Sequence, residues 1–442
     1  MLKQVSSGIY RVVAELRGIM TSKEKLKQVF SVPLYTNTVY LAANTAVTAV
    51  LGLFFWMVVA RFYTKAEVGS ASAIIASISL IALFSRLGLD FSLIRFLPHA
   101  ERPEELINSC FTISGLTSLV VAGIFIAGLH FWSPALSFIT KKAVFSLAFL
   151  VFALVWTLSW PINATFVAKR KAQFVLFKNT IFSLLKIFLS IIFALFFRTF
   201  GIVSSWGVAI MIALAVSFFL FLPKVQNPYK PKPTLKLSLI KDIWKYSTGN
   251  YLACLFEVAP ALVLPIMVVN LLGAADNAYF YIAWMVAALL FAIPSGACQS
   301  LFAEGSQFKE RLGENVVKSF KFTYSLLVPS VLLFIFLGDW LLGLFGTGYS
   351  ANSLRLLQLL SLSSLLYAVN SIYLTTLRVK GQIRELVVIV VFVALSILLT
   401  SYFLIPTTGI IGAGYAWLGA QGAVTIYALL VFYLQGSSKR SF

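Results

Sequence analysis

The sequence predicts an all-α polytopic membrane protein of about twelve transmembrane helices in two six-helix bundles, related by a pseudo-two-fold axis along the membrane normal. Three observations predict it. Hydrophobic residues make up 60% of the 442 and charged residues 11%, with a mean hydropathy of +0.92, whereas soluble domains are roughly a quarter charged. Apolar runs of about 20 residues, enough to cross a bilayer core of about 30 Å, recur along the whole chain. The second six runs resemble the first six at an offset of about 210 positions.

Residues 1–33 hold no continuous apolar run, so no cleavable signal segment is expected. Ile9, Val12, Val13, Leu16, Ile19 and Met20 follow the i, i+3, i+4, i+7 pattern, with Arg11, Glu15 and Arg17 on other faces. That pattern predicts a helix lying on an anionic membrane surface. The first bundle, about 34–222, carries spans at roughly 35–60, 68–88, 106–129, 143–168, 174–197 and 201–222. From 223 the composition turns to PKVQNPYKPKPTLK; prolines exclude regular helix and lysines exclude the bilayer, so 223–243 reads as a linker and hinge. Leu237, Ile240, Ile243 and Trp244 regain helical spacing along the interface. The second bundle, about 244–435, carries spans at roughly 245–270, 278–302, 318–338, 354–377, 383–404 and 409–434, before a tail at 436–442.

The repeat is visible residue by residue. Tyr40-Leu41-Ala42 recurs as Tyr251-Leu252-Ala253, Met57-Val58-Val59 as Met267-Val268-Val269, Phe111-Thr112 as Phe322-Thr323, and Gly201-Ile202-Val203 as Gly409-Ile410-Ile411. Each match alone is weak; the shared offset carries the argument. Six spans per half is an even number, so both halves cross the membrane in the same sense.

A net charge of +20 would suit nucleic acid, but its distribution decides otherwise. With a cytoplasmic N-terminus, most of the 35 Lys and Arg fall in cytoplasmic segments, and only Arg61, Lys65, Lys141, Lys142, Arg198 and Arg355 fall on the other face. The positive-inside rule therefore places both termini in the cytoplasm and calls for no nucleic-acid partner. Cys110, Cys254 and Cys298 all fall in spans without CxxC spacing, and are read as packing residues. His99 and His130 have no adjacent ligand pair, so no metal site and no cofactor are expected.

A charge near the bilayer centre costs from about 2.5 to well over 10 kcal/mol, which makes intramembrane charges informative. Lys186 lies near the middle of the fifth span, on one helix face with Asn179, Ser183 and Ser190. Glu257 lies near the middle of the seventh, with Asn250 and Cys254. The first span carries Asn37, Asn44 and Thr48, and the tenth Ser364, Tyr367, Ser371, Thr375 and Arg378. Such stripes are expected to face a hydrated interior between the halves, made positive by Lys186, Arg86 and Arg378 and suited to an anionic group such as a diphosphate. The alternatives are that Lys186 pairs with Glu257 or snorkels, that the hydroxyls only bond across helices, and that Arg86 and Arg378 only anchor helix ends.

Pro161, Pro260, Pro265, Pro294 and Pro329 fall inside spans, where each removes a backbone hydrogen bond and permits a kink. Pro260 and Pro265, just beyond Glu257, predict a bend that opens and closes the cavity as that carboxyl changes protonation or ion occupancy. A kink without gating is the other reading.

Specific strings add a resemblance. Val58-Val59-Ala60-Arg61 followed by Tyr63-Thr64-Lys65-Ala66-Glu67-Val68-Gly69 resembles the turn between the first two spans of the polysaccharide-transporter family, the Wzx-type flippases of the MATE-like (MOP) superfamily. Leu87-Gly88-Leu89 with Leu93-Ile94-Arg95-Phe96-Leu97 is similar to that family's exit from the second span. Leu344-Phe345-Gly346, Tyr349 and Leu354-Arg355-Leu356-Leu357 resemble its connection from the ninth span to the tenth, and Gly409-Ile410-Ile411-Gly412-Ala413 the start of its last span. The chain departs from the pattern at Phe62-Tyr63, and at Tyr279, where the second-half turn lacks the equivalent of Gly69.

The resemblance implies two bundles around a cationic cavity, alternating access, and transfer of a polyprenyl-diphosphate oligosaccharide, a cell-surface polysaccharide precursor, from the cytoplasmic to the outer leaflet of the plasma or inner membrane. It also implies membrane lipids and the polysaccharide polymerase and glycosyltransferases as partners. Substrate contacts are then expected at Lys186, Arg86, Arg378, Asn44, Asn179 and Asn250, and coupling or gating at Glu257, Pro260 and Pro265, with Na+ or H+ as the coupling ion. A cation-coupled small-molecule antiporter of the same superfamily is the alternative, and would call for more cavity carboxylates. A glycan polymerase or ligase needs a long outer loop; the longest outer connections here, 130–142 and 339–353, are only about a dozen residues. No enzyme is expected.

Overall fold

The structure, a computed structural model, describes residues 33–195, 197, 199–227 and 229–438, without the side chains of 33–35, 237–248, 309 and 432–438. The amphipathic segment expected at 1–33 and the end of the tail lie outside the described residues.

Twelve helices are long and apolar enough to cross a membrane. In the first half they are α1 Pro33–Phe62, α2 Lys65–Ser85, α3 Pro103–Ala127, α4 Ala143–Ala168, α5 Gln173–Ala194 and α6 Thr199–Val216, which continues through a π turn to Val225. In the second they are α7 Leu237–Leu271, α8 Ala274–Gln307, α9 Leu312–Gly343, α10 Tyr349–Lys380, α11 Ile383–Thr408 and α12 Ile411–Ser438. A short helix, Leu89–Phe96, follows α2 after Gly88, whose φ of 73° lets the chain turn. Local chemistry sets several ends. Thr64 and Glu67 form a reciprocal capping box that starts α2, and Gly381 at φ 75° ends α10.

Several helices outrun their apolar cores. α8 has 34 residues, about 50 Å of helix, and its polar end through Glu304 and Gln307 stays helical past the apolar stretch up to Phe308. Hydropathy marks the bilayer segment, whereas capping and breaking residues mark the helix.

The sequence repeat reappears as a repeat of packing. In the first half α1 packs on α5, α5 on α6, α3 on α4, α2 on α3 and α4, and α4 on α6. The second half repeats each contact six helices later: α7 on α11, α11 on α12, α9 on α10, α8 on α9 and α10, and α10 on α12. Two six-helix bundles with one internal plan are the result.

The halves meet through α2, which lies against α7 and α8, with a lighter contact between α1 and α8. The main buried core runs through this junction, from Phe55, Val59, Val68 and Ile78 to Val268, Ala278 and Val286. At the end carrying the α1–α2 turn the halves are closed. A Cβ at Gly69 would lie 1.6 Å from the Ala274 carbonyl oxygen, so only glycine permits this approach. Asn277 Nδ2 donates to the Gly69 carbonyl at 2.7 Å and to Ser72 Oγ at 3.1 Å. Arg61 Nε donates to the Leu344 carbonyl at 3.1 Å. Asn270 accepts from the Ala135 amide at 3.1 Å and donates to Ser133 Oγ at 3.0 Å.

At the opposite end, the linker is not a free strand. Tyr229 OH donates to Asn108 Oδ1 at 2.7 Å, Asn108 Nδ2 donates to the Lys230 carbonyl at 3.0 Å, and the Thr234 amide donates to Thr112 Oγ1 at 3.1 Å. Lys236 pairs with Glu105. Residues 229–236 therefore lie as a strap along α3, because a proline-rich segment has unpaired carbonyls and α3 presents polar side chains to meet them. Asn108→Ala removes two bonds of about 0.5–1.5 kcal/mol each. It is expected to destabilise by about 1–3 kcal/mol, with Tyr229→Phe costing about half as much, checked by thermal unfolding in detergent.

Candidate functional site: a charged cavity between the halves

A cavity of about 740 Å³ lies between the halves toward the linker end. Helical spacing builds its walls. Asn250, Cys254 and Glu257 come from one face of α7, Ser295, Cys298, Gln299 and Phe302 from one face of α8, and Tyr367, Ser371, Thr375 and Arg378 from one face of α10. The first half contributes Phe91, Ile94 and Arg95 from the short helix after α2.

Charge is concentrated at two places. Arg378 Nη2 lies 2.7 Å from Glu257 Oε2, joining α10 to α7 across the wall, with both side chains about a third exposed. Arg86 lies just behind the wall and is buried. Its guanidinium pairs with Asp90 at 3.1 Å, donates to Cys254 Sγ at 3.0 Å and stacks 4.5 Å over the Trp160 ring. Burial raises the Asp90 carboxyl above its ordinary range, although Arg86 pulls the other way. Nearby, Tyr251 OH donates to the Phe84 carbonyl at 2.9 Å, so α2 and α7 are tied at this level too. Among the described residues the cavity lining carries two guanidiniums, Arg95 and Arg378, and one carboxylate, Glu257, which is paired with Arg378. Such a surface favours an anionic group able to take bidentate donors.

Glu257 also borders a second space of about 40 Å³, with Pro260, Asn370, Trp417 and Gln421. Asn370 Nδ2 donates to Gln421 Oε1 at 2.7 Å, while the buried Trp417 indole N–H has no partner among the described residues. Pro260 and Pro265 are both buried inside an unbroken α7.

Other residues singled out by sequence lie elsewhere. The polar stripes of α1 and α5 do not face the inter-half cavity; they face each other. Asn179 Nδ2 donates to Asn44 Oδ1 at 2.8 Å, and the Ala172 amide donates to Asn37 Oδ1 at 3.0 Å. Lys186 is buried within the first half, its Nζ 4.8 Å and 4.9 Å from the Phe55 and Phe182 ring centroids. It does not pair with Glu257, whose partner is Arg378. Cys254 and Cys298 line the cavity rather than only filling space. Sequence reasoning missed Asp90, and missed Lys178, which is completely buried and donates to Ser159 Oγ and, at 3.4 Å, to its carbonyl. Lys178 counts from sequence as one more cytoplasmic-end cation; its place five residues inside α5 was the available signal.

A model of the polysaccharide biosynthesis protein family matches residues 58–351, about two-thirds of the chain. The chain belongs to that family. No curated protein sequence matches it significantly. Among solved structures, the lipid II flippase MurJ in an inward closed conformation superposes with a TM-score of 0.73 at 15% identity, covering 90% of this chain and 87% of that one. An inward-facing multidrug resistance MATE transporter of the MOP superfamily gives 0.69 at 16%, covering 92% and 99%. A MOP-superfamily transporter from Pyrococcus furiosus, described as having a binding pocket of reverse polarity, gives 0.63 at 13%, covering 92% and 96%. At such identities the likeness establishes the fold alone, the one that these solved structures share. The family expectation drawn from the turn motifs is borne out, as are the twelve helices and paired bundles. The solved structures that share this fold are described as multidrug transporters and a lipid II flippase.

Proposed function

We propose that this protein is a flippase for a polyprenyl-diphosphate-linked oligosaccharide, a precursor of cell-surface polysaccharide, moving it between leaflets of the plasma membrane by alternating access. The observation that supports this reading is the cavity lining, in which Arg378 is paired with Glu257 and Arg95 adds a second guanidinium, with Glu257 the one carboxylate among the described residues. The linker end is the cytoplasmic one, so the cavity belongs to the half of the membrane where the lipid-linked substrate is made. The diphosphate engages Arg378 and Arg95, and Asn250 contacts the first sugars. Arg86 holds α7 in register through Cys254, Lys186 adds positive potential from within the first half, and the Asn44–Asn179 pair ties α1 to α5. As the diphosphate takes Arg378, Glu257 is released to bind H+ or Na+. Opening of the Gly69–Ala274 contact at the far end then exposes the cargo to the other leaflet, with Pro260 and Pro265 as the compliant points of α7. Glycosyltransferases supply this substrate and a polymerase consumes it.

The carboxylate in the cavity also favours a second reading, a cation-coupled small-molecule antiporter. One assay separates the two. Proteoliposomes are loaded either with a fluorescent polyprenyl-diphosphate oligosaccharide, scored for leaflet transfer, or with fluorescent organic cations, scored for efflux. Transfer of the glycolipid without efflux is the expected result; efflux dependent on Glu257 without glycolipid transfer would replace the flippase by the antiporter.

A further inference from the structure

The outer flank of the second half carries a groove of about 760 Å³ between α11 and α12 that the transport cycle above does not use. Its walls are apolar, with Val388 and Phe392 of α11 largely exposed on one side and Ala423 and Val424 of α12 on the other. Its mouth, at the linker end, is polar. There Glu385 is already satisfied, with Tyr373 OH donating to Oε1 at 2.6 Å and Tyr427 OH at 3.4 Å. Arg384 beside it is exposed and has no hydrogen bond or ion pair among the described residues. The mouth also holds the first turn of α11, a 26-residue helix whose N-terminal end carries positive partial charge.

We propose that this groove holds one acyl chain of an anionic phospholipid of the bilayer, with its phosphate at Arg384 and the first turn of α11. The charge pattern matches that occupant: a cation where the headgroup lies, then about 10 Å of apolar wall from Glu385 to Phe392, running toward the bilayer centre. The polyprenyl substrate does not fit as well. The groove faces away from the inter-half cavity, and the space between them, bordered by Val424 on one side and Glu257 and Tyr367 on the other, is only about 40 Å³. A diphosphate cannot pass it. A seated lipid braces the scaffold of the site, because α11 packs on α7, which carries Glu257, and Glu385 ties α11 to Tyr373 of α10, which carries Arg378. The inference stands apart from the flippase reading, since it concerns retention of lipid and not transport.

The test is native mass spectrometry of the purified full-length protein titrated with dioleoyl phosphatidylglycerol or dioleoyl phosphatidylcholine. Wild type, Arg384→Gln, the groove-filling Ala423→Trp, and Lys171→Gln as a basic-residue control on the first half are compared. Wild type and the Lys171 variant are expected to retain phosphatidylglycerol about tenfold better than phosphatidylcholine, and each groove variant to lose about tenfold of that retention. Equal retention in Arg384→Gln overturns the proposal. Loss in Arg384→Gln but not in Ala423→Trp means a headgroup contact without a chain in the groove, and overturns it as well. Displacement of bound phosphatidylglycerol by an equimolar polyprenyl diphosphate would hand the groove to the transport substrate.

Discussion

Replacing Gly69 by leucine is expected to abolish transport while the protein still inserts and folds. Elsewhere in a helix, Gly→Ala gains about 1 kcal/mol from propensity alone. Here a Cβ would lie 1.6 Å from the Ala274 carbonyl oxygen and 2.9 Å from the Ala278 amide nitrogen. Both are backbone atoms of α8 and cannot rotate away, so overpacking, costing about 1–3 kcal/mol or more, outweighs the propensity gain even for alanine and grows for leucine. That cost falls only on the state in which the halves touch at this end, so the population shifts toward the state open there by roughly tenfold to a hundredfold or more. Labelling of Ala278→Cys, buried in the closed state, by a membrane-impermeant thiol reagent reads this directly. Faster labelling in the Gly69→Leu background, with transport lost, is the expected pair of results; unchanged labelling would mean that the contact does not close the pathway.

Arg378→Gln is expected to lower glycolipid transfer by about tenfold to a hundredfold, the size of one charge-assisted contact worth about 1.5–3 kcal/mol. Glu257→Gln should behave differently. Without its carboxylate rival, Arg378 holds the diphosphate at least as well, but transfer ceases to respond to a pH or Na+ gradient. Both side chains are about a third exposed, so the pair itself contributes little stability, about 0–1 kcal/mol, and thermal unfolding should move little in either variant. The exchanged pair, Glu257→Arg with Arg378→Glu, restores the ion pair but puts the positive group on α7, and is expected to keep the stability of wild type without recovering transfer. Recovery of transfer in the exchanged pair would make the contact a structural tie and remove Arg378 from substrate binding.

Much of this fold was legible in the sequence because a bilayer enforces it. A helix must satisfy its own backbone, so length and hydropathy locate each span, and the common offset of Tyr40 with Tyr251 and Met57 with Met267 announces the duplicated packing. The α10 stripe was also legible, since Tyr367, Ser371, Thr375 and Arg378 lie on one face and line the cavity together. Asn44 and Asn179 were not. Periodicity shows that a face is polar but not which neighbour it meets, and two polar faces solve the same problem by bonding to each other. Asp90 escaped notice because it follows the end of a span, where a charge costs nothing in sequence terms; only the fold reveals that the short helix folds it back onto Arg86. The longer helices of the second half have a related cause, since nothing in hydropathy records where a polar helix end stops.

The strap along α3 has a mechanical meaning. Lys236 is held by Glu105 and α7 begins at the next residue, so no slack separates the first half from the helix that carries Glu257. From Leu237 to Glu257 there is about 30 Å of unbroken helix, a lever arm rooted on the other half. A swing of only about 3° at the root displaces the Glu257 carboxylate by roughly 1.5 Å, enough to break its hydrogen bond to Arg378. In the proposed cycle, the Glu257–Arg378 contact is thereby geared to the rotation of one half against the other.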